Sequence, residues 1–121
     1  MDVKNFGKKI MKHMPYMTRG ECKTLAYLMK HKDYVTSRQI EHDMDLRQPE
    51  VSMAIKQLKH RKWITIKTKD NNHTKGRPIS FYKLKKPAEE IMDSMIHEIE
   101  ETMEQYQEHI NYLLMLKESE L

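Results

Sequence analysis

The sequence has few of the features that mark secreted, membrane-spanning or loop-rich proteins. Among its 121 residues there is one cysteine, Cys22, so an intrachain disulfide is excluded and a reducing compartment is expected. No run approaches the ~18 uninterrupted apolar residues that a membrane-spanning helix needs. The basic N-terminus lacks the apolar centre of a signal peptide. With three glycines and four prolines there is little room for flexible linkers. We therefore expect a cytoplasmic protein with no membrane partner.

Motifs of catalysis and cofactor binding are also missing. The sequence contains no P-loop, no glycine-rich dinucleotide-binding run, no HExxH and no nucleophile elbow. Its seven histidines are scattered. We expect neither an enzyme nor a cofactor or metal site. One alternative stays open: in an antiparallel pair of chains, His97 of one could approach His109 of the other and share a metal, although histidines on a solvated helix face are commoner.

Charge is divided unevenly along the chain. Residues 1–87 hold 21 lysines and arginines against 8 acidic residues, whereas residues 88–121 hold 1 against 10. A strong basic field favours a polyanion partner, because neutralising phosphates releases condensed counterions. The alternative is a lysine-rich surface that is only solvated.

Local signals predict the starts of three consecutive helices. Residues 18–21 and 36–39 each form a capping box, in which a threonine caps the early amides and Glu or Gln reaches back. After a turn at residues 45–47, Gln48 and Pro49 begin the next helix, where proline's missing amide costs nothing. In that helix, residues 51, 55 and 58 form an inward apolar stripe.

The remaining elements complete a recognisable order. Residues 3–14 can form a short amphipathic helix, and residues 63–68 and 79–84 predict two strands joined by a polar, turn-rich segment. The fold class expected is mainly α with a small β-hairpin (α+β), a winged helix-turn-helix domain with a long C-terminal dimerisation helix. The expected divisions are an N-terminal helical extension (1–17), the DNA-binding domain (18–86) and the dimerisation helix (87–121).

The outward face of the predicted recognition helix, residues 48–61, suits a DNA major groove. Gln48 can pair with an adenine edge, and Met53 can touch a thymine methyl group. Lys56 and Lys59 fit phosphates better than bases. Glu50 is interpreted as mainly structural, because a carboxylate near DNA is repelled. The predicted DNA-binding residues are Thr36, Ser37, Arg47, Gln48, Pro49, Ser52, Met53, Lys56, Lys59, Lys75, Gly76 and Arg77.

The conformational preferences of Gly76-Arg77-Pro78 predict the tip of a wing, the hairpin loop that follows the recognition helix. Glycine turns the chain and proline keeps Arg77 extended. An extended arginine at a hairpin tip can enter the narrow minor groove of A·T-rich DNA. The alternative is an ordinary basic hairpin.

These motifs carry a family likeness. The run from Leu46 to Ser52, followed by Ile55, Leu58 and Trp63-Ile64, resembles the recognition segment of ArsR-type winged-helix regulators. The wing Lys75-Gly-Arg-Pro78 is similar to that of MarR- and TrmB-type prokaryotic regulators.

The resemblance covers residues 18–86 and implies a homodimer that binds a pseudo-palindromic operator near a promoter. Two positions depart from the pattern. Arg47 stands where these regulators often have a Ser or Thr cap, and Met53 stands where a basic or polar reader is common. The reading positions that the resemblance implies are Gln48, Ser52, Met53 and Lys56.

The acidic C-terminal segment predicts a long helix with an a/d seam. Its apolar residues are spaced alternately by four and three positions. Because a small domain is unlikely to cover so long a stripe, a second copy is the simplest partner, and docking on the chain's own domain is the alternative. The seam residues are Met92, Ile96, Ile99, Met103, Tyr106, Ile110 and Leu113.

The leading hypothesis is therefore a dimeric, sequence-specific, double-stranded DNA-binding regulator that is cytoplasmic and nucleoid-associated. A repressor acting by occupancy is favoured, and its effector ligand is unknown. Two alternatives remain: a non-specific architectural chromatin protein and a protein-interaction module. RNA is a weaker candidate because the sequence lacks an aromatic stacking platform.

Overall fold

The computed structural model describes residues 2–69 and 78–121. Within them the elements follow the predicted order, and their bounds lie within about two residues of those expected from the sequence. The predicted wing tip, with Lys75, Gly76 and Arg77, lies outside the described residues. The elements are α1 (Val3–His13), α2 (Arg19–Lys30), α3 (Ser37–Met44), α4 (Gln48–His60), β1 (Ile64–Lys69), β2 (Ile79–Leu84) and α5 (Ala88–Glu120).

The chain divides into two compact units, Met1–Ala88 and Glu89–Leu121. The core of the first unit is formed by the apolar faces of its helices. Leu25 of α2, Ile40 of α3 and Leu58 of α4 are completely buried. Cys22 is buried among them, and burial raises the pKa of its thiol to about 11. The predicted divisions at residues 17 and 86 stay predictions.

The capping boxes predicted before α2 and α3 are both present. The Thr18 hydroxyl accepts from the Glu21 amide at 3.1 Å, and the Thr18 amide donates to Glu21 Oε1 at 3.4 Å. The Thr36 hydroxyl accepts from the Gln39 amide at 3.3 Å, and the Thr36 amide donates to Gln39 Oε1 at 2.8 Å. Local sequence therefore fixes where both helices start.

The hairpin is antiparallel, with Ile64 opposite Leu84 and Lys69 opposite Ile79. It also has a neighbour that the sequence did not predict. The Val35 amide donates to the Tyr82 carbonyl at 2.9 Å, and the Tyr82 amide donates to the Val35 carbonyl at 2.8 Å. This single bridge ties the hairpin to the segment between α2 and α3.

The second unit consists almost entirely of the 33-residue helix α5, which extends for ~50 Å at ~1.5 Å per residue. Near its start Ile91 and Met95 are buried. From Ile96 onward most of its large apolar side chains are exposed. No helix among the described residues is long and apolar enough to cross a membrane.

Candidate nucleic-acid interface

A tight turn sets the direction of α4 relative to α3. Asp45 ends α3 in the left-handed conformation, with φ of 51°, and the Leu46 amide donates to the Glu41 carbonyl at 3.0 Å. Leu46 is buried, so the turn is anchored in the core. Asp is one of the few residues apart from glycine that tolerate this conformation, through local hydrogen bonds of the short polar side chain.

Cationic side chains from α1 and α2 hold this turn. Lys4 Nζ lies 2.8 Å from Asp45 Oδ2, and Arg19 Nη2 donates to the Asp45 carbonyl at 3.4 Å. Lys23 Nζ donates to the Met44 carbonyl at 3.2 Å from a buried position. The hydrogen bond from Lys4 lowers the pKa of Asp45, and desolvation lowers the pKa of Lys23. Three cations therefore surround the end of α3, and sequence reasoning found none of them.

The start of α4 is held by Glu50. Its Oε1 accepts from the Arg47 amide at 3.2 Å, and its Oε2 pairs with Arg19 Nη1 at 3.2 Å. These bonds agree with the structural role inferred for Glu50. The carboxylate is thereby directed toward the helix start and Arg19, so its charge is partly neutralised.

The two faces of α4 are divided as predicted. Val51, Ile55 and Leu58 are buried, and Ala54 joins them. The outward side chains are exposed, including Met53, which is 52% exposed. No acidic side chain belongs to this exposed set. Its members are Arg47, Gln48, Pro49, Ser52, Met53, Lys56 and Lys59.

The two predicted DNA-binding residues at the start of α3 are less exposed than those on the outward face of α4. Thr36 and Ser37 are half-buried. The Thr36 hydroxyl is occupied by the cap, since it also donates to Gln39 Oε1 at 3.3 Å. Of the predicted wing contacts, Lys75, Gly76 and Arg77 lie outside the described residues.

The hairpin carries a basic cluster that the sequence analysis missed. The ammonium groups of Lys67 and Lys83 lie 5.8 and 4.9 Å from the centre of the Tyr34 ring, and both distances are within cation–π range. That Lys67 and Lys83 lie on one face of the hairpin follows from the alternation of side chains along each strand. The position of the Tyr34 ring beside their ammonium groups could not be predicted, because it depends on the bridge between Val35 and Tyr82.

The C-terminal end of α4 borders an open cleft of about 550 Å³. Lys56 and Lys59 are predicted phosphate contacts, and His60 is an alternative to Lys59 on the predicted DNA-facing side of α4, whereas Gln57 and Lys62 have no predicted role. The described lining residues are Lys56, Gln57, Lys59, His60 and Lys62.

The apolar seam predicted on α5 is exposed over most of its length. Met92 is half-buried, and the exposed members range from Ile99 at 37% to Met103 and Leu113 at 65%. Between them lie Ile96, Tyr106 and Ile110, all at least half exposed. His97 Nε2 lies 2.8 Å from Glu101 Oε1 on the same helix. Within the described residues of one chain, no three His, Cys, Asp or Glu side chains come together as a metal site would require.

Comparison with protein-family models gives a match to the DnaD N-terminal domain over residues 11–106. The chain belongs to the DnaD N-terminal domain family. The match spans all of α2, α3, α4 and the hairpin. Comparison with curated proteins gave no match. Assignment to an ArsR-, MarR- or TrmB-type branch stays a prediction.

Solved structures share this fold. A protein described as a possible transcriptional regulator from Methanosarcina mazei Go1 has a TM-score of 0.61 at 11% identity, over 84% of this chain and 86% of that one. S. aureus MepR in its DNA-binding conformation has a TM-score of 0.51 at 22% identity, over 95% and 88%. The S. aureus MepR–DNA complex has a TM-score of 0.50 at 23% sequence identity, and the match covers 93% of this chain and 89% of that one. The winged-helix fold class predicted from the sequence is confirmed.

Proposed function

We propose that this protein is a sequence-specific double-stranded DNA-binding transcriptional regulator, a homodimer that represses by occupying its operator. The observation that carries the proposal is the exposed face of α4, which joins polar and basic side chains and includes no acidic one. The similar structures support it. One is described as a possible transcriptional regulator, and MepR is described both in complex with DNA and in a DNA-binding conformation.

In the proposed complex α4 lies in the major groove. Gln48 pairs with an adenine edge, Ser52 serves a base edge or phosphate, and Met53 contacts a thymine methyl group. Lys56 and Lys59 neutralise backbone phosphates. Arg47, exposed just before the helix, holds the backbone or a guanine.

The wing supplies the second contact. We assign Arg77 to the adjacent minor groove on the sequence argument, with Lys75 on the flanking phosphates. The described base of the wing supports this assignment, because Lys67 and Lys69 are exposed and Lys83 is half-buried on the same sheet face. These charges extend the basic surface beyond α4.

A second copy of the chain is the proposed partner of α5. Its exposed seam repeats every three and four residues, which is the spacing at which two helices interlock. Its acidic flanks are repelled by phosphates, so they favour an arrangement with α5 away from DNA. A two-fold dimer would present two recognition helices roughly 34–36 Å apart, one turn of DNA.

The test of DNA reading is genomic footprinting with affinity-purified protein. The wild type is compared with Gln48→Ala/Lys56→Ala, and with the control Gln105→Ala/Lys117→Ala, which removes the same residue types from exposed positions on α5. We expect a short palindrome near promoters that the recognition-helix variant loses and the control keeps. Broad binding that is insensitive to both variants would instead support an architectural DNA-binding protein.

The test of the dimer is sedimentation equilibrium of Ile99→Glu/Ile110→Glu, with Gln105→Glu as the control off the seam. Two carboxylates buried in a helix pair are strongly unfavourable, so the seam variant should sediment as a monomer and the control as a dimer. A monomeric wild type would contradict the dimer and with it the palindromic form of the expected site, whereas loss of sequence preference in Gln48→Ala/Lys56→Ala would still test DNA reading by α4.

A further inference from the structure

The C-terminus of α4 ends in a Schellman motif with an unusual residue. The Trp63 amide donates to the Leu58 carbonyl at 3.2 Å, and the Lys62 amide donates to the Lys59 carbonyl at 2.9 Å. Trp63 and Leu58 are both buried, at the two positions whose apolar contact usually accompanies this motif. Lys62 therefore occupies the left-handed C′ position, with φ of 64°.

Glycine is the residue that this position normally selects, because a Cβ is strained in the left-handed region. Asp45, at the equivalent end of α3, can offset the strain through its short polar side chain. Lysine has no such local compensation. The strained backbone thus holds a long cationic side chain at a place where folding alone favours glycine.

The strained residue lines the cleft at the end of α4 together with two further lysines. Lys56, Lys59 and Lys62 all line a cleft of about 550 Å³, and no carboxylate is among its described lining residues. Arg61, by contrast, lies against the Trp63 ring at 4.8 Å. The chain therefore directs Lys62, rather than its neighbour, to the cleft.

Compensation of the helix dipole does not account for this charge. A helix C-terminus carries about half a negative elementary charge, and a single cation in the last turn offsets it. Lys59 already lies in the last turn, so Lys56 and Lys62 leave the cleft with a net positive charge. Gln57 and His60 add further hydrogen-bonding groups, which a bound anion can use.

We propose that this cleft binds a phosphate group, with Lys62 as the residue that completes it. The phosphate can belong to the backbone of duplex DNA or to a free polyphosphate such as a nucleotide. The duplex source rests on the proposed function, because Lys56 and Lys59 also belong to the predicted interface. The free-phosphate source does not.

Lys62→Gly is the decisive variant, because it removes the positive charge and at the same time relieves the strain of a left-handed backbone with a Cβ. The Tm of Lys62→Gly should equal or exceed that of the wild type, and a loss of binding in this variant could then not be attributed to unfolding. Lys32→Gly is the matched control, since Lys32 is an exposed lysine in the connection between α2 and α3. Lys62→Asn, a neutral residue that tolerates the left-handed region, repeats the test if the glycine variant does not fold.

Two arms distinguish the sources of the phosphate. In the first, duplex binding is measured from 50 to 300 mM salt. Loss of one phosphate contact should lower the slope of log K against log [salt] by about 0.9 in Lys62→Gly and leave it unchanged in Lys32→Gly. In the second, amide shifts of residues 56–62 are followed during titration with tripolyphosphate. These shifts should appear in the wild type and in Lys32→Gly and be absent in Lys62→Gly.

A positive result in either arm supports the site and names its source. If Lys62→Gly matches Lys32→Gly in both arms, the proposal is overturned and the lysines only solvate the surface. If the wild type binds no duplex at any salt, the proposed function fails, and the tripolyphosphate arm alone decides for or against the site.

Discussion

Gly20 of α2 lies against the first turn of α4, and replacing it with alanine tests the packing of these two helices directly. A Cβ built at Gly20 would lie 2.9 Å from the Glu50 carbonyl oxygen and 3.4 Å from the Glu50 Cβ. The oxygen is backbone in the first turn of α4, so it cannot rotate away. The two helices would have to separate by about half an ångström to restore an ordinary contact.

Two effects of opposite sign decide the outcome. Alanine in place of glycine inside a helix gains about 1 kcal/mol through backbone entropy. Overpacking a tight contact costs about 1–3 kcal/mol. We therefore expect Gly20→Ala to lose about 1 kcal/mol of unfolding free energy, or a Tm lower by about 4–8 °C in a domain of this size.

Gly7→Ala is the internal control. A Cβ at Gly7 would meet Lys23 Cα and Cγ at 3.3 Å and Met44 Cε at 3.5 Å, which is tight but less severe. The same helix-propensity gain then offsets a smaller cost, and the unfolding free energy of Gly7→Ala should lie above that of Gly20→Ala. Urea denaturation of the two variants and the wild type gives the comparison. If Gly20→Ala proves as stable as Gly7→Ala or more so, α2 and α4 do not pack as closely as described.

Three further predictions follow from single side chains. Cys22 is fully buried and the pKa of its thiol is about 11, so it should react with a thiol-specific disulfide reagent only after denaturation; rapid reaction of the native protein would refute its burial. Tyr27 Oη donates to Asp43 Oδ2 at 2.6 Å, and burial first and this bond second raise the pKa of Tyr27 to about 12. The stability that this shift contributes is complete below about pH 10 and is lost toward pH 12, so Tyr27→Phe should flatten the alkaline fall in unfolding free energy; an unchanged fall would exclude the coupling. Thr36→Ala should cost about 1 kcal/mol through loss of the cap, whereas Thr36→Ser should keep it; equal denaturation midpoints for both variants would remove Thr36 from the cap.

Sequence predicted the parts of the fold that depend on neighbouring residues. Each capping box joins residues three apart, and the proline that begins α4 acts on its own turn. The buried stripe of α4 follows from helical spacing alone. These signals need no knowledge of the rest of the chain, which is why the order of the elements and their approximate bounds were predictable.

Contacts between distant segments were not predictable in the same way. Lys4 meets Asp45 across 41 residues and Arg19 meets Glu50 across 31. In the sequence each is one basic residue among many, and nothing local selects its partner. Likewise the bridge between Val35 and Tyr82 involves a single residue between helices, which has no periodicity to detect.

In the candidate site too, features set by neighbouring residues were predictable and features set by distant contacts or backbone angles were not. Exposure of Gln48, Ser52 and Lys56 followed from the opposite, buried stripe. That the Thr36 hydroxyl is engaged in a cap followed from the motif too, yet Thr36 was also proposed as a DNA contact. The role of Lys62 was hidden, because a left-handed lysine has no sequence signature and appears only in the backbone angles.

Helix α4 is fixed at both ends by contacts with other elements. At its start, Arg19 and Glu50 join α4 to α2; at its end, Trp63 continues directly into the hairpin, where its carbonyl accepts from the Lys85 amide at 2.8 Å. The hairpin is itself bonded to Val35. Helix and wing base are therefore held in one hydrogen-bonded framework. A substitution at either end should shift both proposed DNA contacts together, so under the proposed function Arg19 and Val35 matter for the precision of DNA reading as much as the exposed residues of α4 do.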